Sequence, residues 1–308
     1  MYFIYNIFVY LLLIISPLII IIRIISGKED IERFQEKFCI YSKKKLNKTI
    51  WFHAASVGEL MSIIPIIKKI ENNKKIKKII VTTTTNSSAR IFNKLKFKKT
   101  LHQYYPLDTN HFTKKFINFW KPQLAIFVDS EIWPNMINNL DKNNIPIIIL
   151  NARITKKSFQ RWNIFKSFAN QVFGKISLAL PQNTETKKYL KLLGVRNIKT
   201  AGNLKYFGEK LFKEKNKLNT SNKFKKYKIW CAASTHKSEE ILIGRLHNNL
   251  KKIQKKLLTI IIPRHINRVP EIITDLQKFN LKIFKHTTKV KNLSKADIYL
   301  VDTFGETQ

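Results

Sequence analysis

The chain has 308 residues, 44% of them hydrophobic, which is enough for two ordinary cores and too apolar for a disordered polymer. Its 57 Lys and Arg against 20 Asp and Glu give a net charge of +37, but the lysines are scattered over the whole length and no nucleic-acid-binding motif accompanies them. Anionic lipid or a phosphorylated acceptor suits that charge equally well. The two cysteines, Cys39 and Cys231, lie far apart and outside any CxxC or Cys/His spacing, so neither a disulfide framework nor a zinc site is expected.

In chain order, residues 1–22 are almost wholly apolar, broken only by Asn6, Ser16 and Pro17. As a helix they would run ~33 Å, about the thickness of a bilayer's hydrocarbon core. No basic segment precedes them and no small-x-small cleavage site follows. Positive charge appears only beyond, at Arg23, Lys28 and Lys43-Lys44-Lys45, which predicts a signal anchor over 1–26 with the body on the cytoplasmic side. A polar connector over 27–48 follows.

From residue 49 onward, apolar β-rich runs alternate with helical spacing. Strands are expected over 49–52, 78–82, 124–128, 145–150 and 177–180, with helices starting near Gly58, Ser87, Trp133, Ser158 and Thr184. That alternation predicts a parallel, doubly wound α/β domain over 49–208. Residues 209–227 are lysine-rich and lack apolar periodicity, the pattern of a linker. A second α/β unit over 228–308 is expected, with strands at 229–232, 257–262, 281–284 and 298–301, and helices from about Lys237 and over 269–279. Cys231 falls inside the first of these strands and is expected to be a small buried thiol.

The most informative stretch is His53-Ala54-Ala55-Ser56-Val57-Gly58-Glu59-Leu60. Small residues turn from an apolar strand into a helix whose Leu60, Ile63, Ile64, Ile67 and Ile70 recur at helical spacing. Glu59 therefore stands in the first helical turn, where open α/β sheets place their chemistry and where a helix N-terminus favours an anion. Arg264 follows the 257–262 strand, between Pro263 and His265, a position from which a guanidinium can fork onto a phosphate. There is no Asp-x-Asp pair and no His/Asp/Glu cluster of ligand spacing, so neither a metal nor any other cofactor is expected.

The octapeptide resembles the catalytic signature of the Kdo transferases, which attach 3-deoxy-D-manno-octulosonic acid to lipid A. Further blocks follow in family order over nearly the whole chain. They include Gly27-Lys28-Glu29-Asp30, Tyr105-Pro106-Leu107-Asp108, Ser130-Glu131-Ile132-Trp133-Pro134-Asn135, Asn151-Ala152-Arg153, Gly202-Asn203-Leu204-Lys205, Ala233-Ser234-Thr235-His236, and Phe304-Gly305-Glu306. The resemblance implies two Rossmann-like domains of the GT-B type and an inverting transfer of Kdo from CMP-Kdo to a lipid A precursor, lipid IVA. It implies Glu59 as general base, with Glu131 and Lys205 steadying the transition state. The CMP contacts it implies are Pro263, Arg264, Phe304, Gly305 and Glu306. His53, Ser56, Arg153, Ser234, His236, His265 and Arg268 are the secondary candidates. It further implies a tether at the cytoplasmic face of the inner membrane.

Family members continue past the Gly-Glu turn into a glycine-rich segment that also holds the nucleotide. A second domain of about 80 residues is short for a Rossmann half, so an incomplete donor domain and a truncated reading frame are the expectation, with the 298–301 strand left as an exposed edge. Two other classes fit the composition. One is a membrane-associated GT-B enzyme using a uridine nucleotide sugar, and the other is a tethered basic remnant that binds anionic lipid or nucleic acid without turnover.

Overall fold

The structure is a computed structural model that describes residues 1–41, 48–200, 202, 204, 226–288 and 296–303. The chain forms two compact units, Met1–Leu211 and Phe212–Gln308.

The first unit begins with α1 (Tyr2–Ile25) and a 3₁₀ turn at Phe34–Phe38. Six strands follow: β1 (Thr49–His53), β2 (Lys78–Thr83), β3 (Thr100–Tyr104), β4 (Pro122–Val128), β5 (Ile147–Ala152) and β6 (Leu178–Pro181). Between and after them lie α2 (Val57–Glu71), α3 (Asn86–Asn93), α4 (Asn110–Trp120), α5 (Pro134–Lys142), α6 (Lys156–Ile164), α7 (Lys166–Phe173) and α8 (Thr184–Leu192). The sheet order is β3-β2-β1-β4-β5-β6, and every pairing is parallel. β1 and β4 are thus neighbours at the point where strand order reverses, the place where such sheets open a crevice beyond their carboxyl ends.

Successive side chains of β1 point to opposite faces, and both faces are covered. Trp51 enters one core with Phe116, Phe127, Trp120 and Ile137, while Phe52 enters the other with Leu60, Ile63, Ile67, Phe92 and Val128. Helices opening at the carboxyl edge are capped by short polar side chains that satisfy otherwise orphaned N–H groups: Ser56 for α2, Thr85 for α3, Thr109 for α4, Thr155 for α6 and Asn183 for α8. The expected strands and helix starts of this unit are present within a few residues. β3 and α4, absent from the sequence expectation, complete the sheet's far side.

The second unit holds β7 (Lys228–Thr235), β8 (Leu257–Pro263), β9 (Ile283–Lys285) and β10 (Ile298–Leu300), with α9 (Glu239–Ile253) and α10 (Val269–Gln277). The sheet order is β7-β8-β10-β9, and all pairings are parallel. β10 is not an exposed edge, because it inserts between β8 and β9 and pairs with both. Cys231 is exposed rather than buried, because β7 is an edge strand and only the alternate side chains Trp230 and Ala232 turn toward the core shared with α9 and α10. Most of the expected linker, 209–225, lies outside the described residues.

Candidate active site at the carboxyl edge of β1 and β4

Glu59 sits in the first turn of α2, partly buried. Its Oε2 accepts the Ala55 backbone N–H at 2.8 Å, and its Oε1 accepts the Ser56 hydroxyl at 2.8 Å. Ser56 in turn accepts the Glu59 N–H at 3.3 Å, so the N-cap residue and the carboxylate clamp each other. Desolvation pushes the Glu59 carboxyl above the usual glutamate range, and the nearby negative charges of Glu131 and Asp129 push in the same direction, against the two hydrogen bonds. A carboxylate held in place and made more basic is suited to accept a proton from an alcohol.

Glu131 follows β4, and its Oε2 accepts the Trp133 indole N–H at 2.9 Å. The same oxygen lies 3.2 Å from Nε2 of His53, the last residue of β1, whose side chain is fully buried. His53 Nδ1 lies 2.9 Å from the Thr82 hydroxyl, which takes the Trp51 indole N–H at 2.9 Å. The imidazole also stacks on Tyr105, with centroids 3.9 Å apart, while the indole of Trp133 lies 5.2 Å from the Tyr105 ring. His53 is thus a buried strut that fixes the Glu131 carboxylate from behind.

In His53→Phe the aromatic stack survives while the Thr82 hydroxyl and Glu131 each lose a partner. The expected cost is about 1–3 kcal/mol of stability, the price of leaving buried polar groups unpaired. A urea titration with an unchanged midpoint would rule out the strut.

Asp129 and Asn151, at the ends of β4 and β5, adopt left-handed backbone angles, φ 64° and 55°. Such angles are strained for residues other than Gly and collect at functional sites. Asn151 Oδ1 accepts the Leu204 N–H at 3.1 Å, which holds Leu204 at the same edge of the sheet. Lys205, Phe304, Gly305 and Glu306 lie outside the described residues. Arg153 is exposed, and its backbone N–H donates to the Asp129 carbonyl at 3.2 Å. Reading residue types alone missed Asp129, Tyr105 and Trp133 as parts of this assembly. Asp129 offered as signal only its place just after an apolar strand, whereas Tyr105 and Trp133 stand in the Tyr105–Asp108 and Ser130–Asn135 blocks.

In the second unit, the carboxyl ends of β7 and β8 bring together Ser234, His236, Arg264 and His265, all exposed, above the buried Pro263. The Arg264 N–H donates to the Thr235 carbonyl at 3.0 Å, and the His236 and His265 rings lie 6.4 Å apart. Arg268 instead spends its guanidinium on the buried Glu240, with two bonds of 3.1 Å, and Glu240 also accepts the Thr235 hydroxyl at 2.8 Å. That arrangement makes Arg268 a brace of the β7–α9 turn. Arg264 has its side chain exposed at the strand end.

A family model described as "3-Deoxy-D-manno-octulosonic-acid transferase (kdotransferase)" matches residues 32–207. The chain is 35% identical over 299 residues to a 3-deoxy-D-manno-octulosonic acid transferase of Rickettsia bellii, covering 96% of this chain and 71% of that protein. It is 30% identical to the protein so named from Haemophilus influenzae, again over 96% and 71%. Among solved structures, UDP-GlcNAc 2-epimerase of Neisseria meningitidis superposes with a TM-score of 0.59 over 83% of this chain and 72% of its own, at 13% identity. That likeness shows the fold alone, the GT-B type with its Rossmann-like units. With the family model spanning the β1–α2 turn and the Glu131 loop, and with relatives matching almost the whole chain, this protein belongs to the 3-deoxy-D-manno-octulosonic acid transferase family of glycosyltransferases.

Proposed function

We propose that the chain transfers Kdo from its cytidine monophosphate ester to a hydroxyl of a lipid A precursor such as lipid IVA, with Glu59 as the base. The observation that carries this reading is the Glu59 carboxylate, clamped by Ala55 N–H and the Ser56 hydroxyl and raised in basicity by burial. The acceptor oxygen attacks the anomeric carbon from the face opposite the phosphate, which inverts the configuration. The bond from that carbon to the phosphate oxygen breaks, and cytidine monophosphate leaves with the electron pair. The acceptor's proton passes to Glu59.

Glu131, fixed by His53 and Trp133, stands near the positive charge that develops on the sugar, and Lys205 is its proposed companion. Negative charge builds on the departing phosphate and needs a fixed cation, which is worth most where water is excluded. Arg264 is the proposed cation, with Pro263, Phe304, Gly305 and Glu306 as further nucleotide contacts and Ser234, His236 and His265 at the same strand ends. The membrane segment is proposed to hold the body at the cytoplasmic face of the inner membrane.

The test is transfer by the full chain in mixed micelles, with labelled CMP-Kdo and lipid IVA. Labelled lipid should form, and cytidine monophosphate should compete with the donor while uridine nucleotides do not. Competition by uridine nucleotides alone would assign the site to a different sugar donor, and no product at saturating donor would favour a non-catalytic binding protein.

A further inference from the structure

We infer that α1 lies in the plane of the membrane surface, docked along the first unit, rather than crossing the bilayer. The less exposed positions of this helix are Tyr2, Tyr5, Asn6, Val9, Leu13, Ser16, Ile20, Arg23 and Ile24, which recur every three or four residues and so form one stripe. Both ends of the stripe are tied to the same unit. Near the start, the Tyr5 hydroxyl donates to the buried Asp108 at 2.7 Å, and Asn6 Oδ1 accepts from Asn135 Nδ2 at 2.8 Å. There the Tyr2 ring packs edge-on against Phe168 at 5.0 Å. Near the end, Arg23 Nε donates to Glu29 at 2.9 Å, and Glu29 is held as well by Lys37 at 2.7 Å.

From Tyr5 to Arg23 the helix rises ~27 Å, close to the ~30 Å of a hydrocarbon core. A spanning helix would place those two residues at opposite faces of the membrane. A body that grips both would then have to sit inside the hydrocarbon, with Asp108, Glu29 and Lys37 in tow, at a prohibitive cost for charged groups. A helix lying in the surface keeps every one of these contacts.

The opposite face of α1 fits one occupant, the interfacial layer of a bilayer. Phe3 is 76% exposed, Phe8 63%, Ile14 75% and Ile25 82%, with Leu12, Leu18 and Ile22 exposed between them. No charged side chain interrupts residues 2–22, and Arg23 and Lys28 follow at the end, where anionic headgroups would meet them.

The docking points also say where the membrane comes. Asp108 lies beyond β3, Asn135 begins α5 just after β4, and Asn86, which donates to the Glu29 carbonyl at 3.4 Å, begins α3 after β2. All belong to the carboxyl edge that carries Glu59 and Glu131. Resting on the proposed function, this puts the base at headgroup level, so that a lipid acceptor could present its hydroxyl without leaving the bilayer.

The experiment places single cysteines along α1 in the full chain, with Cys39 and Cys231 replaced, labels each with a fluorophore, and adds vesicles of phosphatidylethanolamine and phosphatidylglycerol carrying shallow or deep nitroxide lipids. The expected profile repeats at the helical period: the shallow nitroxide quenches labels at Leu11, Leu12, Ile14, Ile15 and Leu18, and labels at Leu13, Ser16 and Ile20 escape. Deep quenching of all faces at mid-helix, with a cysteine at Phe3 reacting with an impermeant maleimide trapped inside the vesicles, would establish a spanning helix and overturn the inference. Protection of the apolar face that persists without vesicles would assign it to a second copy of the chain and overturn it as well. Depth is read independently of turnover, so this result stands apart from the identity of donor and acceptor.

Discussion

Glu59→Gln is expected to abolish transfer, with a loss of ~10²–10⁴-fold, the typical contribution of a positioned general base. The amide is nearly the same size and can still accept from Ala55 N–H, while its NH₂ can donate to Ser56, so the turn keeps its shape and only proton acceptance is lost. The pH dependence follows from the same burial. Desolvation raises the Glu59 pKa, so the wild-type rate should fall, as pH falls, through a range above that of an ordinary glutamate.

The stability sign is opposite to the catalytic one. A folded-state pKa above the unfolded value stabilises the fold fully below the unfolded pKa, ~4.3 for glutamate, and that contribution is lost as pH rises through the folded value. At neutral pH, then, Glu59→Gln should be at least as stable as the wild type while being inactive. Rates across pH on a lipid acceptor, set beside urea midpoints at neutral pH, check both halves. A Gln variant that turns over near the wild-type rate would remove Glu59 as the base.

Trp51→Ala should be the most damaging single change to the fold, at about 3–5 kcal/mol, the usual cost of truncating a buried aromatic. Trp51 lies in the central strand β1, 1% exposed. Its ring sits 4.6 Å from Phe116 and 5.2 Å from Phe127, so a void there would open in the middle of the core. Its indole N–H also donates to Thr82, the residue that backs His53. A loss of that size is a large share of a domain's whole stability. Denaturation monitored by far-ultraviolet circular dichroism reads the loss directly, and a shift under about 1 kcal/mol would mean that the site collapses around the cavity.

Much of the first unit was legible because its signals are local. The apolar run of β1, the small residues of the turn and the i, i+3, i+4 spacing from Leu60 to Ile70 lie within two dozen residues, and they placed Glu59 on the first turn of a helix. β3 and α4 escaped the same reading. β3 reads Thr-Leu-His-Gln-Tyr, and its buried polar side chains become acceptable only through partners elsewhere, such as the Thr83 hydroxyl 2.9 Å from His102 Nε2 and the Glu36 carboxylate that accepts the Tyr104 N–H at 3.0 Å.

Local sequence set the alternation of strands and helices, the place of the Glu59 carboxylate on a helix's first turn and the family, since each rests on neighbours along the chain or on blocks in a fixed order. Only the tertiary structure decided which strands meet. It brought His53 against Glu131 across 78 positions of sequence, inserted β10 between β8 and β9, and left Cys231 on an open face of the edge strand β7. It also held α1 at both ends, where composition and length permitted a spanning helix equally well. The physical reason is common to all four: strand order, side-chain pairing and helix docking are settled by contacts between residues far apart in sequence, and no local pattern of apolar and polar residues encodes such a partner.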